Sequence, residues 1–218
     1  MPTPFDQSTY QVRLEWGVEG LARLSPADIV VVVDVLRFSS TVADAVAAGS
    51  SVALDEAIGW SRNGAAVAAA AGEATVLVGA VRNASAVARA VAALQERRQA
   101  RTSVAVIAAG EADAEGRLRF AVEDQLGAGA VIAALTDLGI DHTAPDAAVA
   151  AEGFRALQRA LRHMLSASGS ARELAEGVAA TERIVAAGLT PTSVSDASQL
   201  DAHDAVPILR DGVFVAFD

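Results

Sequence analysis

The residues best suited to chemistry follow a run of valines. Val30 to Val33 forms an all-apolar run that stops at Asp34 and is followed by Arg37, Ser39 and Ser40. Four consecutive β-branched residues are typical of a strand buried on both faces, and open α/β sheets bind ligands just beyond the carboxyl ends of such strands. A carboxylate, a guanidinium and two hydroxyls are therefore expected where a ligand would lie.

Two later segments repeat this arrangement, in which a polar or glycine turn follows an apolar run. Arg82 and Asn83 follow one such run, and Gly110 and Glu111 follow another. Parallel strands bring their carboxyl ends to one edge of a sheet, and helix N-termini with nearby arginines bind phosphate or sulfonate. The sequence therefore predicts an anion pocket at this edge.

Four carboxylates are expected around the same edge, namely Asp34, Glu111, Glu123 and Asp124. Hard oxygen ligands of this kind suit Mg²⁺, which would join the protein to a phosphate group. Catalysis would then consist of positioning and charge neutralisation, with a carboxylate orienting or deprotonating the attacking water. A direct nucleophilic role for Asp34 stays open.

Four of the candidate residues could instead have a purely structural role. Asp34 stands where an acidic residue often caps a helix, and Asn83 precedes a helical pattern as N-cap residues do. Glu123 and Asp124 fall in the first turn of a predicted helix, where acidic side chains complement the helix dipole. Structural and functional roles are therefore both open for these four residues.

The elements that position these residues alternate between strands and helices. Apolar runs predict strands over 28–35, 74–79 and 103–108, and helical spacing predicts helices over 39–48 and 120–138. From Pro145 helices dominate, over 147–166 and 171–187, and Asp211-Gly212 lies between two apolar runs as in a hairpin turn. We predict one α/β domain over residues 1–218, with a mainly parallel sheet flanked by helices in three layers, a C-terminal helical part and a β-hairpin.

The composition excludes several classes of chemistry. The chain has no cysteine, and all 17 basic residues are arginine, so thiolate, Schiff-base and Walker-lysine chemistry are excluded. The formal net charge of −10 disfavours nucleic acid and anionic membranes as partners. A small anion or a divalent cation is therefore the expected ligand. Because the sequence shows no signal-peptide pattern and no long apolar run, a cytoplasmic location is expected.

The segment Val33 to Thr41 resembles the signature of the 2-phosphosulfolactate phosphatase family. Other segments resemble that family in the same order along nearly the whole chain. They are Phe5 to Ser8, Glu15 to Gly17, Arg82 to Ser85, Ala108 to Glu111, Phe120 to Asp124, Gly127 to Gly129, and Val206-Pro207. Together these motifs are specific, although each alone is short.

This resemblance implies a magnesium-dependent phosphatase that hydrolyses 2-phosphosulfolactate to sulfolactate and phosphate, a step of coenzyme M formation. It also makes a homodimer plausible. The chain is a shortened member, because the family's Gly-Glu-Arg-Gly and Asn-Ser-Pro segments are missing between Ala57 and Ser61. Only the family's Asn-Gly turn remains here, as Asn63-Gly64.

Two hypotheses result. In the first, the protein is a phosphatase for a small phosphorylated or sulfonated acid, with catalysis by Asp34, Glu123 and Asp124, and Mg²⁺ held by Asp34, Glu111 and Glu123. The predicted substrate ligands are Arg37, Ser39, Ser40, Asn63, Gly64, Arg82, Asn83 and Gly110. In the second, the protein is a non-catalytic relative that binds a small anion or assembles with itself.

Overall fold

Seven strands form one mixed sheet in the structure, a computed structural model that describes residues 3–113 and 115–218. A separate two-stranded hairpin, β6–β7, lies beside it. In chain order the strands are β1 (Val12–Trp16), β2 (Ile29–Val33), β3 (Val52–Ala53), β4 (Thr75–Gly79), β5 (Val104–Ala108), β6 (Glu111–Ala112), β7 (Leu118–Arg119), β8 (Pro207–Arg210) and β9 (Val213–Ala216).

Helices connect most of the strands. They are α1 (Gly17–Arg23), α2 (Phe38–Ala47), α3 (Leu54–Trp60), α4 (Gly64–Ala69), α5 (Ala84–Arg98), α6 (Val122–Asp137), α7 (Pro145–Leu157), α8 (Leu161–Ser166), α9 (Gly169–Glu176), α10 (Ala179–Ala186) and α11 (Val194–Ala197). Single 3₁₀ turns precede α5 and α8. No helix of the described residues is long and apolar enough to cross a membrane.

The order of strands in the large sheet is β1-β5-β2-β4-β8-β9-β3. The first four are parallel, and β2 lies between β5 and β4 with Val33 opposite Ala108 and Gly79. Every residue of β2 is buried, as its run of β-branched residues predicts. The chain segments after β2, β4 and β5 therefore emerge side by side at one edge.

Helices cover both faces of this sheet. One buried cluster joins β1, β2 and β5 to α5, α6 and α7, and a second cluster on the other face joins the sheet to α2 and α4. The C-terminal part is helical, and β8 and β9 form a hairpin whose turn residues, Asp211 and Gly212, have φ values of 50° and 78°. The predicted three-layer α/β fold is confirmed.

Glycines allow α6 to approach the sheet and α7 closely. A Cβ atom on Gly127 would lie 2.5 Å from Val35 Cγ2 and 2.8 Å from Val33 Cγ1, and one on Gly129 would lie 2.3 Å from the carbonyl oxygen of Ala150. Such distances leave no room for a side chain. Gly127 thus allows α6 to pack closely against the end of β2, and Gly129 allows it to pack closely against α7.

Three predicted elements were wrong in part. Residues 51–54, which the sequence predicts as a short strand, form only the two-residue strand β3, and it pairs antiparallel with β9 at the far edge of the sheet. The helix predicted over 147–166 is interrupted by a 3₁₀ turn at Gln158–Ala160. The helix predicted over 171–187 is divided at Gly177, whose φ of 89° does not occur in an α-helix. Apolar spacing continues across such breaks, so it did not reveal them.

Candidate active site

The turn after β2 places Asp34 at the edge of the sheet. Ser39 Oγ accepts a hydrogen bond from Asp34 N at 2.9 Å and donates one to Val32 O at 3.1 Å, and Ser40 Oγ donates to Val35 O at 2.8 Å. Both serines are fully buried. Their hydroxyls therefore stabilise the turn, and they do not line the adjoining cavity.

The Asp34 carboxylate lies between two helix N-termini. Its Oδ1 accepts a hydrogen bond from Phe38 N at 3.3 Å, and its Oδ2 accepts one from Gly64 N at 3.0 Å. Burial, with smaller contributions from the charges of Glu111 and Glu123, raises its pKa to about 7, although the two hydrogen bonds oppose this shift. The carboxylate is therefore held in place but costly to ionise without a cation.

Gly64 is required at this contact for steric reasons. A Cβ atom at this position would lie 2.5 Å from Phe38 Cδ1 and 2.8 Å from Asp34 Oδ2. The absence of a side chain thus allows the backbone N–H at the start of α4 to reach the carboxylate. Gly64 contributes its N–H to Asp34 and does not itself line the cavity.

Helix α6 brings two further carboxylates to the same edge. Asp124 accepts hydrogen bonds from Val35 N at 2.7 Å and from Gly110 N at 2.9 Å, so it joins the turns after β2 and β5. Burial raises its pKa well above the usual value, and the charges of Asp34 and Glu123 add to this effect. Asp124 is therefore a structural link as well as part of an acidic cluster.

Glu123 differs from Asp124 in its contacts. Its side chain is buried, with 2% exposed, yet it forms no hydrogen bond or salt bridge with any residue of the described ranges. It lines the cavity beside Asp34. Its oxygens are thus the most available of the buried carboxylate oxygens for a ligand.

These side chains surround a cavity of about 300 Å³. This volume is at the small end of the range for ligand pockets. Its charged lining residues are Asp34, Arg37, Arg62, Glu111, Glu123, Asp124, Glu173 and Arg183. The lining carboxylates outnumber the arginines, although the ligand predicted from sequence is an anion.

Arg37 lines the cavity and interacts electrostatically with Asp34 of the acidic cluster. Burial lowers its pKa, and the Asp34 charge opposes this shift. Its Nη2 donates a hydrogen bond to Thr181 Oγ1 on α10. Arg37 is thus held between Asp34 and the helix that covers the cavity, where it can reach an anion.

Asn63, Gly110 and Glu111 also line the cavity, as expected from sequence. Asn63 Nδ2 donates to Glu111 Oε1 at 3.3 Å, so the turn before α4 contacts the turn after β5. Gly110 has a φ of 69°, and a Cβ atom there would lie 2.9 Å from Arg119 O. This backbone conformation allows the Gly110 N–H to reach Asp124.

Arg82 and Asn83 lie at the same edge but outside the cavity lining. Arg82 Nε donates to Asp44 Oδ1 at 2.8 Å. Asn83 is fully buried; its Nδ2 donates to Val78 O and Ala205 O, and its Oδ1 accepts from Ala80 N. Because the polar atoms of Asn83 are used within the protein, it anchors the loop after β4, without a side-chain cap on α5.

Sequence reasoning missed the contribution of the C-terminal helices. Ser170 and Glu173 on α9 and Arg183 on α10 line the cavity, together with Arg62 from the turn before α4. Arg183 Nη1 donates to Gly59 O at 2.9 Å across 124 residues of sequence. No local pattern signals that these helices fold back over the edge of the sheet.

The donor set can be compared with the needs of Mg²⁺. Among residues 3–113 and 115–218, no three Asp, Glu, His or Cys side chains are grouped closely enough to form a ligand cluster. Mg²⁺ is usually bound by one or two carboxylates, with waters and substrate phosphate completing its octahedron. Buried carboxylates without a salt bridge, such as Asp34 and Glu123, fit that mode and do not fit an all-protein cage.

Comparison with known proteins identifies the family. The family model for 2-phosphosulpholactate phosphatase matches residues 50–212, a segment that contains Glu111, Glu123 and Asp124 but begins after the Asp34 turn. No curated protein matches the chain. Because the family match covers well over half of the sequence, the chain belongs to the 2-phosphosulpholactate phosphatase family, whose name describes a phosphoric monoester hydrolase.

Proposed function

We propose that the protein is a magnesium-dependent phosphatase that hydrolyses a small phosphorylated acid, 2-phosphosulfolactate, to sulfolactate and phosphate. The observation that carries this proposal is the pair of buried carboxylates, Asp34 and Glu123, that line one cavity with Arg37 and form no salt bridge with any residue the structure describes. Buried charges are normally paired or bind a metal ion. A divalent cation would neutralise the two carboxylates, and Arg37 would then supply positive charge for a phosphate group.

In this proposal Asp34 and Glu123 hold the metal ion, with Glu111 as a further candidate ligand. The bound ion supplies positive charge beside the phosphate. Asp34 is kept in position by the N–H groups of Phe38 and Gly64, so its orientation is fixed before substrate arrives. Such preorganisation lowers the cost of reaching the transition state.

The phosphate is bound by Arg37, with Asn63 and the Gly110 turn beside it. Arginine suits this role because its planar guanidinium can donate two parallel hydrogen bonds to a phosphate. Asp34 or Glu123 then orients the water that attacks phosphorus or accepts its proton. As the new P–O bond forms, the ester P–O bond to the C2 oxygen of the substrate breaks, and that oxygen takes up a proton as sulfolactate leaves. Asp124 holds the turns after β2 and β5 at the correct separation through its two N–H contacts.

The test is phosphate release from 2-phosphosulfolactate by the purified protein, with Mg²⁺ and with a chelator. We expect turnover with Mg²⁺ that the chelator removes, and Glu123→Gln should lower kcat by about 10²-fold or more. Asp137→Asn is the matched control, because Asp137 lies on the same helix, is exposed, and pairs with Arg155 at 2.7 Å.

Calorimetry separates this proposal from the alternative of a non-catalytic anion-binding relative. Binding of 2-phosphosulfolactate without phosphate release at any Mg²⁺ concentration would favour that alternative. Turnover that persists unchanged in the chelator would remove the metal from the proposal. The homodimer and the cytoplasmic location expected from sequence stay predictions.

A further inference from the structure

Two of the three arginines that line the cavity lie at its rim. Arg62 and Arg183 are exposed, whereas the neighbouring lining residues Trp60 and Ile184 are buried. They come from segments far apart in sequence, the turn before α4 and the helix α10. Arg37, in contrast, lies close enough to Asp34 for the Asp34 charge to affect the pKa of its guanidinium.

Of the two rim arginines, Arg183 is held in place by hydrogen bonds to the backbone. Arg183 Nη1 donates to Gly59 O at 2.9 Å, and its Nε donates to Ala179 O at 3.3 Å. Gly59 is near the end of α3 and only three positions before Arg62 in the sequence. The guanidinium of Arg183 is thus fixed against the end of α3, the helix that precedes the turn carrying Arg62.

Neither rim arginine has a carboxylate partner among the residues that the structure describes. Arg62 forms no hydrogen bond or salt bridge there, and the Nη2 group of Arg183 forms none either. Glu173, the cavity carboxylate on α9, is paired with neither. Two positive charges therefore face the cavity entrance without internal neutralisation.

We propose that Arg62 and Arg183 form a second anion subsite, which binds the carboxylate or sulfonate of the substrate while its phosphate lies beside Arg37. This inference rests on the proposed function and deepens it. The floor of the cavity is acidic, so a second anionic group would be repelled there and favoured at the rim. Trp60, Leu174 and Ile184 offer apolar surface to the carbon skeleton of the substrate.

In this proposal the two arginines determine which substrates bind well. Arg37 and the buried carboxylates Asp34 and Glu123 carry out the phosphate chemistry. The test compares 2-phospholactate with isopropyl phosphate, which has a methyl group in place of the carboxylate. In Arg62→Gln/Arg183→Gln we expect kcat/KM for 2-phospholactate to fall about 10-fold to 100-fold, with little change for isopropyl phosphate. Arg172→Gln, at an exposed position of α9 outside the cavity lining, is the control, and it matches the charge change of Arg62→Gln alone.

A binding pair makes the result independent of turnover. Calorimetry compares 2-phosphonopropionate with isopropylphosphonate, which differ by the same carboxylate. Loss of the preference for 2-phosphonopropionate in the double variant supports the subsite even if neither ester is hydrolysed, because the phosphatase proposal is tested separately with 2-phosphosulfolactate. Arg62→Gln alone removes no hydrogen bond of the described protein, so it tests the subsite without risk to folding.

Two outcomes would overturn the inference. One is an unchanged preference for the acid-bearing ligand in both the single and the double variant. The other is an equal loss of affinity for both phosphonates, which would place the rim arginines on the phosphate itself. A double variant that weakens 2-phosphonopropionate no more than Arg172→Gln does would likewise show only a general charge effect.

Discussion

Two aspartates ten positions apart, Asp34 and Asp44, occupy opposite electrostatic environments. Asp44, on α2, accepts hydrogen bonds from Arg82 Nε at 2.8 Å and Thr192 Oγ1 at 2.6 Å, and lies 3.2 Å from His203 Nε2. Among the described residues, the Asp34 carboxylate accepts hydrogen bonds from only two backbone N–H groups and forms no salt bridge. The protein thus pairs the Asp44 carboxylate with Arg82 and His203 and leaves the Asp34 carboxylate without such a partner among the described residues.

The pKa shifts of the two aspartates follow this difference. Burial would raise the pKa of Asp44, but hydrogen bonds from His203 and Thr192 and the charge of Arg82 lower it below its usual value. Burial raises the pKa of Asp34 to about 7. Asp44 therefore ties the C-terminal segment to α2, whereas the charge of Asp34 can be compensated by a ligand.

The strongest test of the comparison replaces each aspartate with asparagine. Asp34→Asn should lower kcat by about 10²-fold to 10⁴-fold, because the group that holds the metal ion or water is lost. Asp44→Asn should keep most of kcat but lower the free energy of unfolding by about 1–3 kcal/mol, since Arg82 loses its charged partner. Kinetics and urea denaturation measure the two effects.

The comparison would fail if the two variants had the same profile. Equal loss of kcat in both would make the Asp44 network part of the catalytic machinery. Unchanged activity in Asp34→Asn would remove the central residue of the proposed site.

The two aspartates also predict opposite dependences of stability on pH. For Asp34 the folded pKa of about 7 exceeds the ordinary value of 3.8, so the folded protein binds the extra proton. Its contribution is fully present below about pH 4 and is lost as pH rises through about 7, by up to about 4 kcal/mol. Asp44, with its lowered pKa, loses its contribution only as pH falls below about 4.

Between pH 5 and 8, metal-free protein should therefore lose stability as pH rises. Added Mg²⁺ should raise Tm more at pH 8 than at pH 5, because the ion competes with protons for the same carboxylates. Thermal unfolding with chelator and with Mg²⁺ measures this, and Asp34→Asn should flatten the curve. A metal-free protein that is more stable at pH 8 than at pH 5 would contradict the prediction.

A glycine pair probes how tightly the Asp34 environment is built. In Gly64→Ala, the new methyl group would meet Phe38 and Asp34, so we expect a loss of about 1–3 kcal/mol in unfolding free energy together with reduced kcat. Gly153→Ala on α7 is the control, because its added Cβ would meet no described atom within 4 Å outside its chain neighbours and the backbone of its own helix. That variant should be neutral or stabilised by up to about 1 kcal/mol. Equal effects of the two variants would show that Asp34 tolerates displacement.

Local sequence patterns predicted the positions of the candidate site residues better than their contacts. The valine run predicted β2, and the strand ends predicted that Asp34 and Glu111 come together, because parallel strands share one carboxyl edge. The hydroxyls of Ser39 and Ser40 were expected to face a ligand. Whether a hydroxyl points outward or back to the chain depends on the turn geometry, which residue type does not specify.

Long-range contacts account for the rest of the difference. Arg183 reaches the cavity only because α10 folds back across the sheet edge, and Arg82 leaves it because Asp44 on α2 and the C-terminal segment surround its guanidinium. Both outcomes depend on tertiary packing between segments that share no periodicity. A pattern of residue types predicts that an arginine lies at a strand end. It does not predict which of two nearby carboxylates the guanidinium will pair with.

The smallest expected effect concerns Ser40, predicted from sequence as a phosphate ligand. Its hydroxyl is buried and donates to Val35 O at 2.8 Å, on the same turn that carries Asp34. Ser40→Ala should lower the free energy of unfolding by about 1 kcal/mol and leave KM within about twofold, because no contact with substrate is removed. Urea denaturation and phosphate-release kinetics measure both. A tenfold rise in KM at unchanged stability would instead mean that the hydroxyl turns toward the cavity when substrate binds, and that the Asp34 turn rearranges during the reaction.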